Sequence, residues 1–266
     1  MKRPPEYDPG LFHAEELVKT PIPDVSALPQ PKVLIAVLSV RTPPYGQMIH
    51  TSKFTWDSVD VPNVETIYYV AEPESELHDQ VIGFPIKEGY YRIGYKNLLA
   101  WKWMLDNRDF DFLVRPNASC YVHKPRLLAR CAQLPTDNLL YGSVVADPNR
   151  RKWLWGGHQF IMSRDVVQKV VDNPQVWNHS EIEDVALSHA ATDLGIPFTQ
   201  TLDSCAIDRL GPNDWRVIST NGNSFHFTDW ADVAKLDTQI FFRVKRDGAR
   251  DEDALVMRKL QQYLIP

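Results

Sequence analysis

Short, continuous apolar runs alternate along this chain with longer stretches whose apolar residues recur at helical spacing. Lys32–Val40 (KVLIAVLSV) is apolar nearly throughout, which predicts a strand buried on both faces. Ile67–Ala71 predicts a second strand. Tyr90–Asn107 has helical periodicity, with Ile93, Leu98, Trp101 and Leu105 on one side. Phe110–Val114 and Cys120–Val122 predict two strands around a polar knot, Arg115-Pro116-Asn117-Ala118-Ser119. Lys124-Pro125 opens a helix that runs to Gln133, with proline in its first turn. Leu139–Val145 and His158–Met162 predict strands, and Ser163 is placed to cap a helix over Arg164–Val171. A helix over Glu181–Leu194 stops at Gly195 and Pro197. The aromatic patch Phe225-His226-Phe227 precedes a last helix, Asp251–Tyr263.

Strands and helices in alternation predict an α/β protein, a three-layer sandwich around a mostly parallel sheet. Residues 1–31 carry Pro4, Pro5, Pro9, Pro21, Pro23, Pro29 and Pro31, which predicts an extended N-terminal arm around a short helical piece near His13–Lys19. Residues 32–266 then form a single domain. A chain of 266 residues with 44% hydrophobic content suffices for one sizeable core. The net charge of −5, with no long basic run, argues against a nucleic-acid polymer as partner. Small anions need only a local basic pocket. Cys120, Cys131 and Cys205 have no metal-ligand spacing and read as reduced thiols. No apolar stretch reaches membrane-spanning length, and the first residues, MKRPPEYDPG, are neither signal nor anchor. The expectation is a soluble, cytoplasmic protein.

In α/β proteins ligands gather at the carboxyl ends of strands, so the knot is the first candidate site. It lies within Asp109–Pro125 (DFDFLVRPNASCYVHKP), followed by Trp155-Gly156-Gly157-His158, Ser163-Arg164-Asp165 and Glu181-Ile182-Glu183-Asp184-Val185. Upstream stand the strand VLIAVLSV, then Ile49-His50-Thr51-Ser52-Lys53-Phe54-Thr55-Trp56, then Tyr95-Lys96-Asn97-Leu98-Leu99-Ala100-Trp101-Lys102-Trp103. In this order and spacing the set resembles a GT-A-type glycosyltransferase, closest to the β-1,3-galactosyltransferase and Fringe group, glycosyltransferase family 31. The resemblance covers the chain from Lys32 to about Phe198. It implies a GT-A-like α/β/α sandwich, a nucleotide-diphosphate sugar donor (a UDP-sugar), a glycan acceptor and inversion at the transferred carbon. One departure stands out: where the family places an Asp-rich cluster that binds a divalent metal, this chain has Asn117, Ala118 and Ser119. These keep hydrogen-bonding ability but bring no charge to a hard cation.

Sugar transfer needs a hold on the nucleoside, charge balance for the leaving diphosphate, and a base for the acceptor hydroxyl. In the similar family the residue before Val in the Glu/Asp-Asp-Val pattern is the catalytic carboxylate, which here is Asp184. Glu183 and Glu181 crowd it and would raise its pKa. The plain alternative is acidic residues favouring a helix dipole. Glu183 is placed beside the acceptor. Arg243 and Lys245 share one side of an extended segment and would balance the diphosphate, the alternative being a solvated basic surface. Arg115 is a further cation on the knot, unless it pairs with Asp111.

Ser39, Val40 and Arg41 end the first strand, where the resemblance puts nucleoside contacts, and Asp79 matches an acid after the family's second strand, in a donor or structural role. Asn117 and Ser119 would meet a ribose or sugar hydroxyl. Gly156-Gly157 would let backbone approach the transferred sugar, or simply make a tight turn. His158, where the family has a small residue, would fill the space near a hexose C6 and favour a pentose such as xylose. Trp155 and Trp177 offer faces for acceptor sugars. No metal ligand is assigned and no cofactor is required; the rival keeps Mn²⁺ or Mg²⁺ on the donor diphosphate, held through Asn117, a His and water. From another class, the loss of the acidic cluster allows a catalytically silent nucleotide-sugar or glycan-binding module, against which the intact Glu183-Asp184-Val185 argues.

Overall fold

The computed structural model describes residues 30–72, 77–146, 152–155, 159–201, 203–211, 213–219, 224–244 and 250–265. The expected arm, with its helical piece, therefore lies outside the described residues except for positions 30 and 31. The chain opens with β1 (Val33–Leu38), α1 (Tyr45–Phe54), β2 (Val64–Ala71), β3 (Leu77–His78) and β4 (Val81–Phe84). A 3₁₀ turn at Tyr90–Arg92 leads into α2 (Ile93–Asn107), then β5 (Phe112–Arg115), β6 (Cys120–Val122) and α3 (Lys124–Cys131). The middle holds β7 (Leu140–Gly142), β8 (Val144–Ala146), β9 (Lys152–Leu154), β10 (Phe160–Ser163), α4 (Arg164–Asp172), α5 (Glu183–Asp193) and β11 (Phe198–Gln200). The last part contributes β12 (Ser204–Gly211), β13 (Asp214–Ser219), β14 (Ser224–Phe227), β15 (Phe241–Val244) and α6 (Asp253–Leu264).

The main sheet has the order β11-β7-β10-β5-β1-β2-β4-β3. Its pairs β1–β2, β1–β5, β2–β4 and β7–β11 are parallel, while β10 runs antiparallel between β5 and β7. The structure is thus the expected mixed α/β sandwich with a mostly parallel centre. All six residues of β1 are buried, and they divide by parity. Val33, Ile35 and Val37 join one core with residues of α1, α3 and α6; Leu34, Ala36 and Leu38 join another with residues of α2, α4 and α5. A strand covered on both faces needs this continuous apolar run, each fully buried aliphatic side chain contributing about 1.5–3 kcal/mol.

One outer layer is not purely helical. A five-stranded sheet, β14-β13-β12-β15-β6, shares a core with α1, α3 and α6. The chain leaves the main sheet at Arg115 and enters the second at Cys120, so the knot is the seam between the sheets. Backbone bonds fix it from both sides: Leu38 N–H donates to Pro116 O at 3.0 Å, Ala118 N–H to Leu38 O at 2.9 Å, and Val244 N–H to Ser119 O at 2.9 Å.

Two boundaries differ from expectation for visible reasons. The predicted strand Leu139–Val145 is two strands, because after Gly142 the chain turns to pair with β9, and Ser143 O accepts from Trp155 N–H at 2.7 Å. The helix predicted from Glu181 begins at Glu183, since Ile182 is extended (ψ 150°) and Glu181 turns away to His189, 2.9 Å from its Nδ1. Its far end stops as expected at Gly195, whose φ of +66° is left-handed. Among the described residues no helix is long and apolar enough to cross a membrane.

The start of α3 gives a stability prediction. His123 caps this helix, its Nδ1 accepting from Arg126 N–H at 3.3 Å. Burial, then the charge of Arg126, lowers its pKa from 6.5 to about 4. A depressed folded pKa leaves stability intact above the unfolded value and removes it as pH falls toward the folded one. Between pH 6.5 and about 4, wild type is expected to lose about 3 kcal/mol more than His123→Asn in urea melts. Equal losses would reject a neutral, buried His123.

Candidate active site

At the carboxyl ends of β1 and β5 the two sheets and α5 enclose a cleft of about 850 Å³. Nine of the expected residues line it: Ser39, Val40, Arg115, Asn117, Ser119, Trp155, Glu183, Asp184 and Arg243. Each arrives for a structural reason. Ser39 and Val40 continue from β1. Asn117 bridges back to Leu38. β15 is extended, and its pairing with β6 sets Arg243 opposite Cys120, beside the knot. Trp153 and Trp155, two apart on an extended segment, share a face and both reach the cleft.

Other expected residues are placed elsewhere. Arg41 is exposed and ion-paired with Glu72, so it does not line the cleft. Asp79 is a surface residue gripped by Lys53 at 2.6 Å, which supports the structural side of its two readings. Trp177 is a correction: it is buried edge-on against Trp101, ring centroids 5.9 Å apart, and no face is open to a sugar. Gly156, Gly157, His158 and Lys245 lie outside the described residues.

Beneath the cleft lies a buried polar chain. Tyr69 donates its hydroxyl to Asn97 Oδ1 at 2.7 Å, and Asn97 Nδ2 donates to Glu183 Oε1 at 2.7 Å. Arg115 donates to the other oxygen, Glu183 Oε2, at 2.6 Å. Glu183 is therefore engaged through both oxygens, a correction to its assignment beside the acceptor. Arg115 pairs with Glu183 rather than Asp111, whose carboxylate accepts from the backbone of Lys32 at 2.7 Å. Burial raises the pKa of Glu183, and Arg115 pulls it back only in part.

Asp184 follows in the first turn of α5, half-buried in the cleft wall, with its Oδ1 accepting from Val185 N–H at 3.0 Å. Its pKa is raised, and the main cause is burial rather than the crowding of Glu181 and Glu183 expected from sequence; Arg115 and Arg243 act in the opposite direction. The cleft thus presents a carboxylate with heightened proton affinity under the influence of two guanidinium groups, buried Arg115 and half-buried Arg243. Such a group suits a general base, and the cations suit a polyanion.

Four contributors escaped the sequence reading. Lys96 is buried and donates to Ser39 O at 2.9 Å and to Glu88 at 2.9 and 3.1 Å, tying the 85–89 loop to the end of β1. A lysine beside Asn97 on the buried side of α2 was the available signal. Glu88 and Tyr90 line the cleft from that loop and the following turn. Arg250 lines it too, 2.9 Å from Asp253 and over the ring of Tyr45 at 5.6 Å.

At Asn117, Ala118 and Ser119 the knot's side chains are an amide, a methyl and a hydroxyl. Among the described residues no group of three His, Cys, Asp or Glu is placed to hold a metal ion. These side chains bring hydrogen-bonding atoms but no negative charge to a hard divalent cation.

No protein-family model matches the chain. Among curated proteins it is similar to UDP-GalNAc:beta-1,3-N-acetylgalactosaminyltransferase 2 of mouse (Mus musculus), 23% identical over 133 residues. That match covers 44% of this chain and 26% of the mouse enzyme, so the chain corresponds to about a quarter of its relative's length. Among solved structures it is similar to a glycosyltransferase involved in the glycosylation of the major capsid of PBCV-1, with a TM-score of 0.49 and 8% identity, over 85% of this chain and 98% of that one.

Proposed function

We propose that this chain is a GT-A-like glycosyltransferase that moves a sugar from a UDP-sugar to a glycan hydroxyl with inversion. The observation that carries the reading is Asp184 in the first turn of α5, lining a cleft that Arg115 and Arg243 also line and feeling the charge of both. The sequence similarity to a UDP-GalNAc-using enzyme supports it. In a single displacement, Asp184 takes the acceptor proton as the acceptor oxygen bonds to the sugar's anomeric carbon. The bond from that carbon to the diphosphate oxygen breaks, and its electron pair leaves with UDP. Ser39 and Val40 border the nucleoside, Asn117 and Ser119 meet its ribose or the sugar hydroxyls, and the guanidinium groups hold the phosphates.

Hydrolysis of a UDP-sugar without acceptor tests the reading against a silent binding module, which shows none. Charge balance by fixed cations has its own test. Arg243→Ala is expected to lower kcat/KM about ten- to hundredfold, the scale of a charged hydrogen bond, and wild type to keep its activity in EDTA. Complete loss in EDTA with recovery in Mn²⁺ would return the metal to the mechanism. His158, following Gly156-Gly157 in the sequence, favours a pentose donor. UDP-xylose is expected to outpace UDP-glucose by about 1–3 kcal/mol in kcat/KM, with His158→Gly narrowing the gap. The reverse order in wild type rejects this role.

A further inference from the structure

The mouth of the cleft continues into an exposed aromatic stripe. Tyr90, 64% exposed, lines the cleft, and burial followed by the charges of Asp184 and Glu183 raises its phenol pKa, so it stands within electrostatic reach of the candidate base. Its ring meets Tyr91 edge-on at 5.7 Å between centroids. From Tyr91, in the 3₁₀ turn, the stripe runs on to Tyr95 and Leu99, which are four apart on one side of α2; the three are 58%, 46% and 43% exposed. Tyr95 to Leu99 covers about 6 Å of that helix. Scattered exposed apolar residues are ordinary, but a contiguous row leading out of a cleft marks a binding surface.

The row is held in place. Tyr95 stacks on His179 at 3.4 Å between ring centroids, 5° from parallel. Gly94 allows this approach: a Cβ there would come within 2.3 Å of Trp177 Nε1 and 3.2 Å of His179 Nδ1. Lys96, bonded to Glu88 and Ser39, fixes the loop that leads into Tyr90.

We propose that Tyr91, Tyr95 and Leu99, entered by way of Tyr90, form a track for the sugar rings of an oligosaccharide acceptor that lie beyond its reacting residue. This rests on the sugar-transfer reading of the cleft. The acceptor hydroxyl must reach Asp184, so the rest of the acceptor has to leave through the mouth, where the track begins. Phenol rings suit this occupant: their faces take the C–H side of a pyranose while the hydroxyls stay free to bond sugar hydroxyls, at low entropic cost. Fixing the rings before binding reduces that cost further.

The test uses β-linked xylo-, gluco- and galacto-oligosaccharides of one to four residues as acceptors, with UDP-sugar donors. In wild type, KM in one series is expected to fall at least tenfold from one residue to four, with kcat changing less than twofold. Tyr91→Ala/Tyr95→Ala should erase that fall, while Tyr91→Phe/Tyr95→Phe, which keeps the rings and reports on folding, should retain most of it. A KM independent of length, or a full length effect in the alanine variant, overturns the track even where transfer occurs. So does a wild-type dimer that this variant dissociates while acceptor KM is unchanged, since the stripe is then a self-contact. If wild type neither hydrolyses nor transfers from any UDP-sugar, the reading of the cleft itself fails and the track falls with it.

Discussion

Asp184→Asn is expected to keep donor binding and lose transfer by a hundredfold or more, within the roughly 10²–10⁴ range of general-base contributions. Asparagine matches aspartate in shape and can still accept from Val185 N–H, so the backbone at the start of α5 has no reason to move. What disappears is the group able to take the acceptor's proton. The pH dependence sharpens the test. A base works only when deprotonated, and burial raises the pKa of Asp184. The acid limb of kcat/KM should therefore lie above the ordinary carboxylate range, with the rate falling as pH falls through it. Because Arg243 lowers this pKa, Arg243→Ala should shift the limb upward in pH. Glu181, paired with His189, is the control, and Glu181→Gln should change turnover little. A folded Asp184→Asn protein with near-normal transfer rejects Asp184 as base.

How much of this site could be read in the sequence follows from the range of the interactions. Asp184 was legible through the Glu-Asp-Val pattern of the family the chain resembles, its place at a helix start alone favouring a plain dipole role. Asn117 and the end of β1 were legible because they sit at strand ends. Arg243 was legible because extended backbone alternates its side chains. The partners were not. Arg115 and Glu183 are 68 residues apart, and Asn97 and Glu183 are 86 apart. Nothing in a local pattern reveals which acid meets which base, so Asp111 was as reasonable a partner for Arg115. Lys96 escaped for a related cause: helical spacing alone cannot show that a lysine is buried between a carbonyl and a carboxylate. Trp177 erred the other way, since polar neighbours in sequence gave no sign that Trp101 and α2 cover it. The second sheet was missed because its pairing of β6 with β15 joins segments about 120 residues apart, with no periodic signature of their contact.

Arg115→Met is expected to be the most destabilising single change at the site, about 3–5 kcal/mol in urea melts, because it leaves Glu183 as a buried charge without its counter-ion. The two halves of the pair are not equivalent. The folded-state pKa of Glu183 is already raised, so its protonated form is the one that burial favours. Glu183→Gln resembles that form: it keeps an oxygen for Arg115 and is expected to cost distinctly less. The sign with pH follows. A group whose folded pKa is raised contributes stability below its unfolded pKa and loses it as pH rises through the folded one. Without Arg115 that folded pKa rises further, so the deficit of Arg115→Met against wild type should shrink as the pH is lowered and Glu183 takes up a proton. Arg115→Met/Glu183→Leu, which removes both charges, should recover much of the loss. A pair that costs this much to keep charged, directly beneath Asp184 and on the cleft wall, is better explained by what its guanidinium does for an anionic donor than by stability. If Arg115→Met/Glu183→Leu regains the stability of wild type and also its turnover, that explanation is wrong and the pair only fills space.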